Sequence, residues 1–552
     1  MNFSAPFFEL LRSLLPEFTL LGGALLCLLA GLSPTASVRR VTALVAVGSA
    51  LLSTLVAASM SHLPQSGPGP VDLPELPTFL KIIIGLLGSL LLMGVAKVPD
   101  RLRQVLDAEN AKPFVAGDDY RGEFFAFTLV SMAGAMLCAG AGDLVWLLLA
   151  LELVSLPSYV MIACSRDDGR AQESAIKYFF LGAMAAAIFI YGFALMYGAT
   201  GHTGIADIRA HVQAHGVSNL MLAGVALSVV GIGFKIAAAP LHSYVLDVYE
   251  GAATPVTAFL AVIPKIAGFA ALILVLGTVG WFPSKDGRGV TALPPAIWSL
   301  LAVMAMASMV IGNTLGLVQK NVKRVMGCSS IAQSGYLLLG LLAGPALMAG
   351  DGAVEGSAWE RMTVHASALA STNGLGALCV YLTVYGLGTI GLLSALGCLV
   401  DKHGHDATGW DSLAGLRHRH PLLAIIIALC SLSLMGLPVL GGFVGKIMLA
   451  DATLAAHSSL AVVLVLFLVL NSAVSAAYYL RLTHVVLLGS DNNQLDLLPV
   501  QSRRVAALTA AIAVLAMGGF LAGPLLRAAN RAAGMKTVEM DMQTVITSAD
   551  GR

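Results

Sequence analysis

The chain has 552 residues, 57% hydrophobic and 11% charged, with a net charge of +1 and a mean hydropathy of +0.84. That much apolar surface at this length excludes a water-soluble fold, and it excludes intrinsic disorder, which needs low hydrophobicity. Seven scattered cysteines exclude a secreted disulfide scaffold, and the near-neutral balance does not point to nucleic acid.

What remains is an all-α polytopic membrane protein. The chain shows continuous apolar runs of about 17–25 residues, the length that crosses a bilayer as helix, and lacks the alternation of an outer-membrane barrel. Fourteen runs are predicted, centred near Leu25, Val47, Leu87, Met132, Ala150, Ile188, Val229, Ala267, Met309, Leu339, Val384, Leu434, Leu466 and Leu515. The first is not a cleaved signal peptide, because Glu9 and Glu17 precede it and no basic stretch does. Hydrophilic insertions at 61–78 and 97–121 set off the first three helices, and the tail after residue 534 is polar. The expected units are 1–122 (three helices and hydrophilic loops), 123–280 and 281–485 (two repeats), and 486–552 (last helix and tail).

Sorting Lys and Arg by loop places 18 on one side and nine on the side of the termini, so both termini are expected outside the cytoplasm. Five lysines fall within or at the ends of spans: Lys81, Lys177, Lys235, Lys265 and Lys446. A charged side chain at a helix centre costs about 2.5–3.5 kcal/mol on insertion scales, so such residues mark paired or hydrated functions.

In chain order, Lys81 starts the third span, where snorkelling to the outer surface accounts for it. Glu152 lies in LVWLLLALELVSLPSYVMI, with Pro157 freeing a carbonyl a turn earlier. It reads as a protonatable site or as a structural partner for a lysine. Lys177, in ESAIKYFFLGAMAAAIFIYG, either snorkels to the cytoplasmic interface or pairs with Glu152. Lys235 lies in GVALSVVGIGFKIAAAPLH, and its seven-residue spacing to His242 predicts a shared helical face, about 10 Å apart along the axis, with Pro240 breaking the helix between them. His242 is then a proton relay or a structural histidine. Lys265 follows Pro264 in the eighth span, which predicts a kink. Lys446 lies in SLSLMGLPVLGGFVGKIMLA, where Gly436, Pro438, Gly441, Gly442 and Gly445 make the most breakable helix in the chain. Lys235 and Lys446 stand five spans apart on oppositely directed helices, as two inverted five-helix repeats would place them. The histidines His403, His405, His418 and His420 read as a solvated loop rather than a metal site, since Cys and helical His pairing are missing.

The segments ALELVSLPSY, ESAIKYFFLGAMAAAIFIYGFALMYGATG, GFKIAAAPLHSYVLDVYEGAATPVTAFLAVIPKIAGFAAL, QKNVKRVMGCSSIAQSGYLLLGL and GLPVLGGFVGKIMLADA together resemble the antiporter-like membrane subunits of respiratory complex I, and among them subunit N. The resemblance runs in order from Phe124 to Tyr479. It implies fourteen helices with inverted repeats over helices 4–8 and 9–13, and broken helices 7 and 12. By resemblance, Glu152 matches the helix-five glutamate, Lys235 its helix-seven partner, Lys265 the central-axis lysine, and Lys446 the helix-twelve lysine. Lys177 and His242 match supporting positions. Lys446 also separates the chain from subunit M, which carries a glutamate there, and the short C-terminus separates it from subunit L. The chain departs from the family at Tyr244, Leu246 and Ala253, where Trp, Pro and Pro are usual.

The implied function is proton translocation in the bacterial inner membrane, driven by quinone reduction in partner subunits. The sequence carries no nucleotide, flavin or iron–sulfur motif. NADH, FMN, iron–sulfur clusters and quinone are therefore expected in partners, with no cofactor or metal on this chain. The expected neighbours are subunit M and small subunits such as K and J. The alternatives are a subunit of a multi-subunit Na⁺/H⁺ antiporter, a related membrane hydrogenase or ferredoxin-type complex, and a scaffold whose buried charges merely pair.

Overall fold

The computed structural model describes residues 11–33, 35–60, 71–95, 121–164, 169–283, 290–346, 373–401, 406–455, 459–490, 495–497 and 501–534. The chain opens with α1 (Leu15–Gly31), α2 (Ala36–Met60) and α3 (Leu76–Val95). There follow α4 (Arg121–Ala139), α5 (Leu144–Ala163), α6 (Gly169–Thr200), α7 (Ile205–His215), α8 (Asn219–Gly233), α9 (Val245–Gly251) and α10 (Thr254–Leu276). The second half holds α11 (Pro295–Val318), α12 (Val322–Ala343), α13 (Gly374–Leu396), the short α14 (Trp410–Leu413) and α15 (Leu416–Arg419), α16 (Pro421–Met435), α17 (Gly441–Leu454), α18 (Ser459–Leu488), α19 (Gln501–Gly518) and α20 (Ala522–Ala532). A two-stranded antiparallel ladder, unannounced by the sequence, pairs β1 (Leu399–Asp401) with β2 (Leu495–Leu497).

In a bilayer every backbone polar group must be satisfied within the protein, so apolar runs of this length fold as helices. Ten described helices are long and apolar enough to cross a membrane. The bent pair α19–α20 adds a candidate, turned by 83° at its break, and α1, α8 and α16 are shorter apolar helices. Every predicted span centre falls on one of these helices. The chain is a multi-pass membrane protein.

Burial sorts the helices. The apolar windows of α10, α12 and α13 are buried along their whole length, whereas those of α2 and α18 are only 28% buried. Helices apolar on all sides are stable in either place, so packing rather than composition decides which are interior. Close approach is set by small residues: a Cβ at Gly312 of α11 would lie 2.7 Å from the Cys328 carbonyl of α12.

The three-helix unit is tied to the rest by charge. Arg209 of α7 is 4% exposed; its Nη2 donates to Asp72 and to the Trp281 carbonyl, each at 2.8 Å, while Nη1 reaches the carbonyls of Gly277 and Gly280. Arg503 of α19 donates to the carbonyls of Gly94 and Gly397, at the C-terminal ends of α3 and α13. There a cation meets the negative end of each helix dipole. Lys81 departs from expectation. It does not snorkel but pairs with Glu17 of α1 at 2.7 Å, both side chains being buried, and also donates to the Ser13 carbonyl at 2.7 Å.

Besides the bent pair α19–α20, a broken helix lies in each half of the described chain. α8 stops at Gly233, and turns carry the chain through 234–244 to α9, with Ala237 at φ 60° and a cis bond before Pro240. α16 stops at Met435, and Gly436 (φ 94°) and Val439 (φ 76°) carry the chain to α17. The expected kink at Pro264 leaves α10 a continuous helix from Thr254 to Leu276.

Candidate proton path

Helix breaks and one polar helix build the site. On α5, Glu152 and Ser155 stand three residues apart and therefore on one face. Lys235, 4% exposed, donates to the Ser155 hydroxyl, which itself donates to the Leu151 carbonyl at 2.7 Å. Glu152 lies near enough to act electrostatically on Lys235. Its Oε1 is buried without a hydrogen-bond partner. Among the described contacts, then, the lysine reaches α5 through a hydroxyl rather than through a direct carboxylate pair.

The expected shared helical face of Lys235 and His242 does not form. The helix ends at Gly233, before the lysine, because the positive φ at Ala237 and Pro240 turn the chain away. His242 lies in the turn segment, half-buried, with Nδ1 lacking a partner. A helix end at membrane depth leaves carbonyls and amides without intrahelical partners. Here side chains supply them: Ala239 N–H donates to Ser308 of α11 at 2.9 Å, Ser334 of α12 donates to the Ile236 carbonyl, and Tyr244 donates to the Phe234 carbonyl at 2.8 Å. Tyr244 itself is a buried ring with its centre 4.2 Å from that of Phe234.

Ser334 leads directly to the next lysine. Lys265, 1% exposed, donates to the hydroxyls of Ser334 at 2.8 Å and Ser330 at 2.9 Å, and to the Ser330 carbonyl at 2.7 Å. Its ammonium lies 4.7 Å from the ring centre of Tyr385, a cation–π contact. The hydroxyls of Tyr249 and Tyr385 reach Ser330 at 3.2 and 3.1 Å. Ser334 thus bonds both the backbone beside Lys235 and the ammonium of Lys265, while the Lys235 ammonium turns to Ser155 of α5.

The same helix continues to the third lysine. Gln333 accepts from Tyr381 and donates to the Leu434 carbonyl at 3.2 Å. Three residues on, the ring of Tyr336 lies 4.8 Å from the ammonium of Lys446. Lys446, 5% exposed, donates to the Met435 carbonyl at 2.8 Å and the Ser472 hydroxyl at 3.2 Å. Asn313 bridges Tyr336 and Tyr478, at 3.0 and 2.9 Å. From Ser330 to Tyr336 the rise along α12 is about 9 Å, so successive turns of one helix reach from Lys265 to Lys446.

Lys177 stands apart from this line. It pairs with Glu173 at 2.7 Å and Asp247 of α9 at 2.8 Å, and it is 43% exposed. No ion pair with Glu152 occurs among the described contacts. Arg324 of α12 also reaches Asp247, at 3.1 Å, and Glu250, at 2.8 Å. The Lys177 hydrogen bond, with both cations nearby, holds the Asp247 carboxyl below its usual 3.8.

Ser155, Ser330, Gln333, Ser334 and Tyr336 are the functional candidates that charge counting misses. Their signal is periodic: Ser330, Gln333 and Ser334 recur at i, i+3 and i+4 within an apolar span. Of the histidine loop, His403 and His405 lie outside the described residues, and His418 meets Arg417 at 3.3 Å. Among the described residues, no group of three or more His, Cys, Asp or Glu is placed to hold a metal ion.

Residues 141–354 and 356–472 match the membrane-domain family described as NADH:quinone oxidoreductase/Mrp antiporter. NADH-quinone oxidoreductase subunit N 1 of Sorangium cellulosum is 40% identical over 65% of this chain and 66% of its own length. Subunit N of Desulfitobacterium hafniense is 34% identical over 80% of this chain and 84% of its own. A chain of respiratory complex I from Thermus thermophilus superposes with a TM-score of 0.70 at 28% identity, covering 94% of this chain and 100% of that one. The chain therefore belongs to the NADH:quinone oxidoreductase/Mrp antiporter membrane family, and within it to the subunit N proteins.

Proposed function

We propose that this chain is a proton-translocating membrane subunit of an NADH-quinone oxidoreductase in the bacterial inner membrane, with both termini on the non-cytoplasmic side. Protons move along the line Glu152, Lys235, Lys265, Lys446, with Lys177 and His242 in support. The observation that carries this reading is the burial of Lys235, Lys265 and Lys446 on hydroxyl and carbonyl partners, with Ser334 holding both the Lys265 ammonium and the Ile236 carbonyl, the backbone group next to Lys235. Charge change at the Glu152 end alters the hold on the Lys235 proton, and the broken segment that carries Lys235 passes the change to Lys265 through Ser334, which holds the Ile236 carbonyl and the Lys265 ammonium alike. α12 then carries it to Lys446 through Gln333 and Tyr336. Ten of the fourteen helices form two inverted five-helix repeats, 123–280 and 281–485, and each repeat supplies a half-channel at its helix break.

The redox chemistry belongs to partner subunits, which hold NADH, FMN, iron–sulfur clusters and quinone. Subunit M and the small subunits K and J are the expected neighbours. The test is Lys235→Ala in the assembled complex, reconstituted in liposomes. The reading requires loss of proton pumping, and intact pumping together with intact quinone reduction overturns it. The family description also covers Mrp antiporters. Co-purification with NADH dehydrogenase activity separates the two, since an antiporter subunit carries none.

A further inference from the structure

We infer that Asp406, in the loop after β1, is a positioning residue that sets the register of α10 against α12 and thereby holds Lys265 level with Ser334. The inference rests on the proton-path reading and adds to it a residue that touches none of the path.

Asp406 lies far in sequence from both helices, and its side chain is 3% exposed. One oxygen, Oδ2, accepts from the Thr254 hydroxyl at 2.8 Å and from the Thr254 N–H at 3.3 Å, and lies 3.8 Å from the Lys323 ammonium. Thr254 is the first residue of α10, whose N-cap is Ala253, a residue that offers no capping side chain. Helix starts leave N–H groups unsatisfied and favour an anion. Asp406 supplies from another part of the chain the cap that α10 lacks locally.

Lys323 is the second residue of α12, and the loop holds that helix too. Val322 N–H donates to the Thr408 carbonyl at 2.8 Å, and Asn321 forms a bridge with Gly409. The loop therefore holds both helix starts, α10 through Asp406 and α12 through Asp406, Thr408 and Gly409, and the two helices run in the same direction. Lys265 is eleven residues beyond Thr254, and Ser334 is eleven beyond Lys323. Equal rises of about 16 Å bring the two side chains level, where they meet at 2.8 Å. A slip of one helix by a single residue is about 1.5 Å, enough to break that contact. The loop is anchored in turn by the strand ladder: Val400 bridges Asp406, and Ala407 N–H donates to the Leu399 carbonyl at 3.3 Å.

The experiment uses the assembled complex in proteoliposomes, reading protons moved per NADH oxidised and the pH profile of pumping. Asp406→Asn keeps the shape and removes the charge, and Thr254→Val removes one hydroxyl contact only. The expected result is a pumping ratio lowered about tenfold or more in Asp406→Asn, as misplacement of an active group by an ångström can produce. Its pH profile should shift as that of Ser334→Ala does. Adding Ser334→Ala to Asp406→Asn should cost little more, because both disturb one contact. A wild-type ratio and profile in Asp406→Asn, or full additivity with Ser334→Ala, overturns the inference. If Asp406→Asn fails to assemble, Thr254→Val decides: a wild-type ratio and profile there overturns the inference, and a shifted profile supports it. Lys265→Ala is measured in parallel, since normal pumping in that variant defeats the proton-path reading itself.

Discussion

Lys446 donates to the carbonyl of Met435, 2.8 Å away, and Met435 is the last residue of the helix that precedes the break. The lysine of α17 thus closes the end of α16, where carbonyls lack intrahelical partners and the helix dipole is negative. Its ammonium has no carboxylate partner within ion-pair distance among the described residues, only a carbonyl, a hydroxyl and the ring of Tyr336. A proton held this way is released without separating an ion pair. Lys446→Ala is expected to assemble and to lower protons pumped per NADH about tenfold or more, the effect of losing a positioned proton carrier. Proteoliposome pumping at unchanged stoichiometry would remove Lys446 from the path.

Gln333 has two roles that a pair of substitutions tests. Its side chain accepts from Tyr381 and donates to the Leu434 carbonyl, so Gln333→Leu strands both buried partners. Each stranded group costs about 1–3 kcal/mol. Gln333→Glu, kept neutral by burial, retains an acceptor for Tyr381 and an O–H donor for the Leu434 carbonyl. Thermal unfolding in detergent should therefore leave Gln333→Glu closer to wild type than Gln333→Leu. Pumping that follows the same order places Gln333 in the link between Lys265 and Lys446, and pumping indifferent to both variants removes it.

The membrane class and the positions of the helices were legible because hydropathy is written residue by residue, and each predicted centre lies on a helix. Lys235, Lys265 and Lys446 were legible for the same reason, as rare charges in apolar runs. Other features depend on contacts far apart in sequence. Lys81 looked like an interfacial lysine because its partner Glu17 is 64 residues away on another helix. The common face of Lys235 and His242 assumed a helix that Ala237 and Pro240 end. Lys177 resembled a partner for Glu152, yet Asp247, brought in by the turn after the break, takes it. Uncharged polar residues escape a count of charges, so α12 read as a plain apolar span although Ser330, Gln333 and Ser334 line its interior face.

The Glu17–Lys81 pair gives a stability test independent of pumping. Both side chains are buried, and apart from this ammonium the Glu17 carboxylate lacks a hydrogen-bond partner. Removing one member of a buried pair costs about 3–5 kcal/mol, because the other charge is left uncompensated, whereas replacing both with packed apolar residues is close to neutral. Glu17→Leu or Lys81→Met alone should lower the thermal midpoint in detergent, and the double variant should recover most of the loss. Equal losses in the singles that simply add in the double would show that the two do not act as a pair.

Asp247 gives the pH dependence. Lys177 at 2.8 Å and Arg324 at 3.1 Å hold its carboxyl below the usual 3.8. A carboxyl whose folded value is depressed stabilises the fold above its unfolded value, and that stabilisation is lost as pH falls through the folded value. The window is therefore below about pH 4. The side chain is 39% exposed, so solvent screens the pair, the effect is small, and salt weakens it further. The midpoint difference between wild type and Asp247→Asn, measured at low salt in detergent, should be present at pH 7 and shrink on acidification below pH 4. Raising the salt at pH 7 should shrink it as well. A difference that is constant from pH 7 to the acid limit would mean that Asp247 stabilises the turn after the break by shape or hydrogen bonding, with its charge contributing nothing.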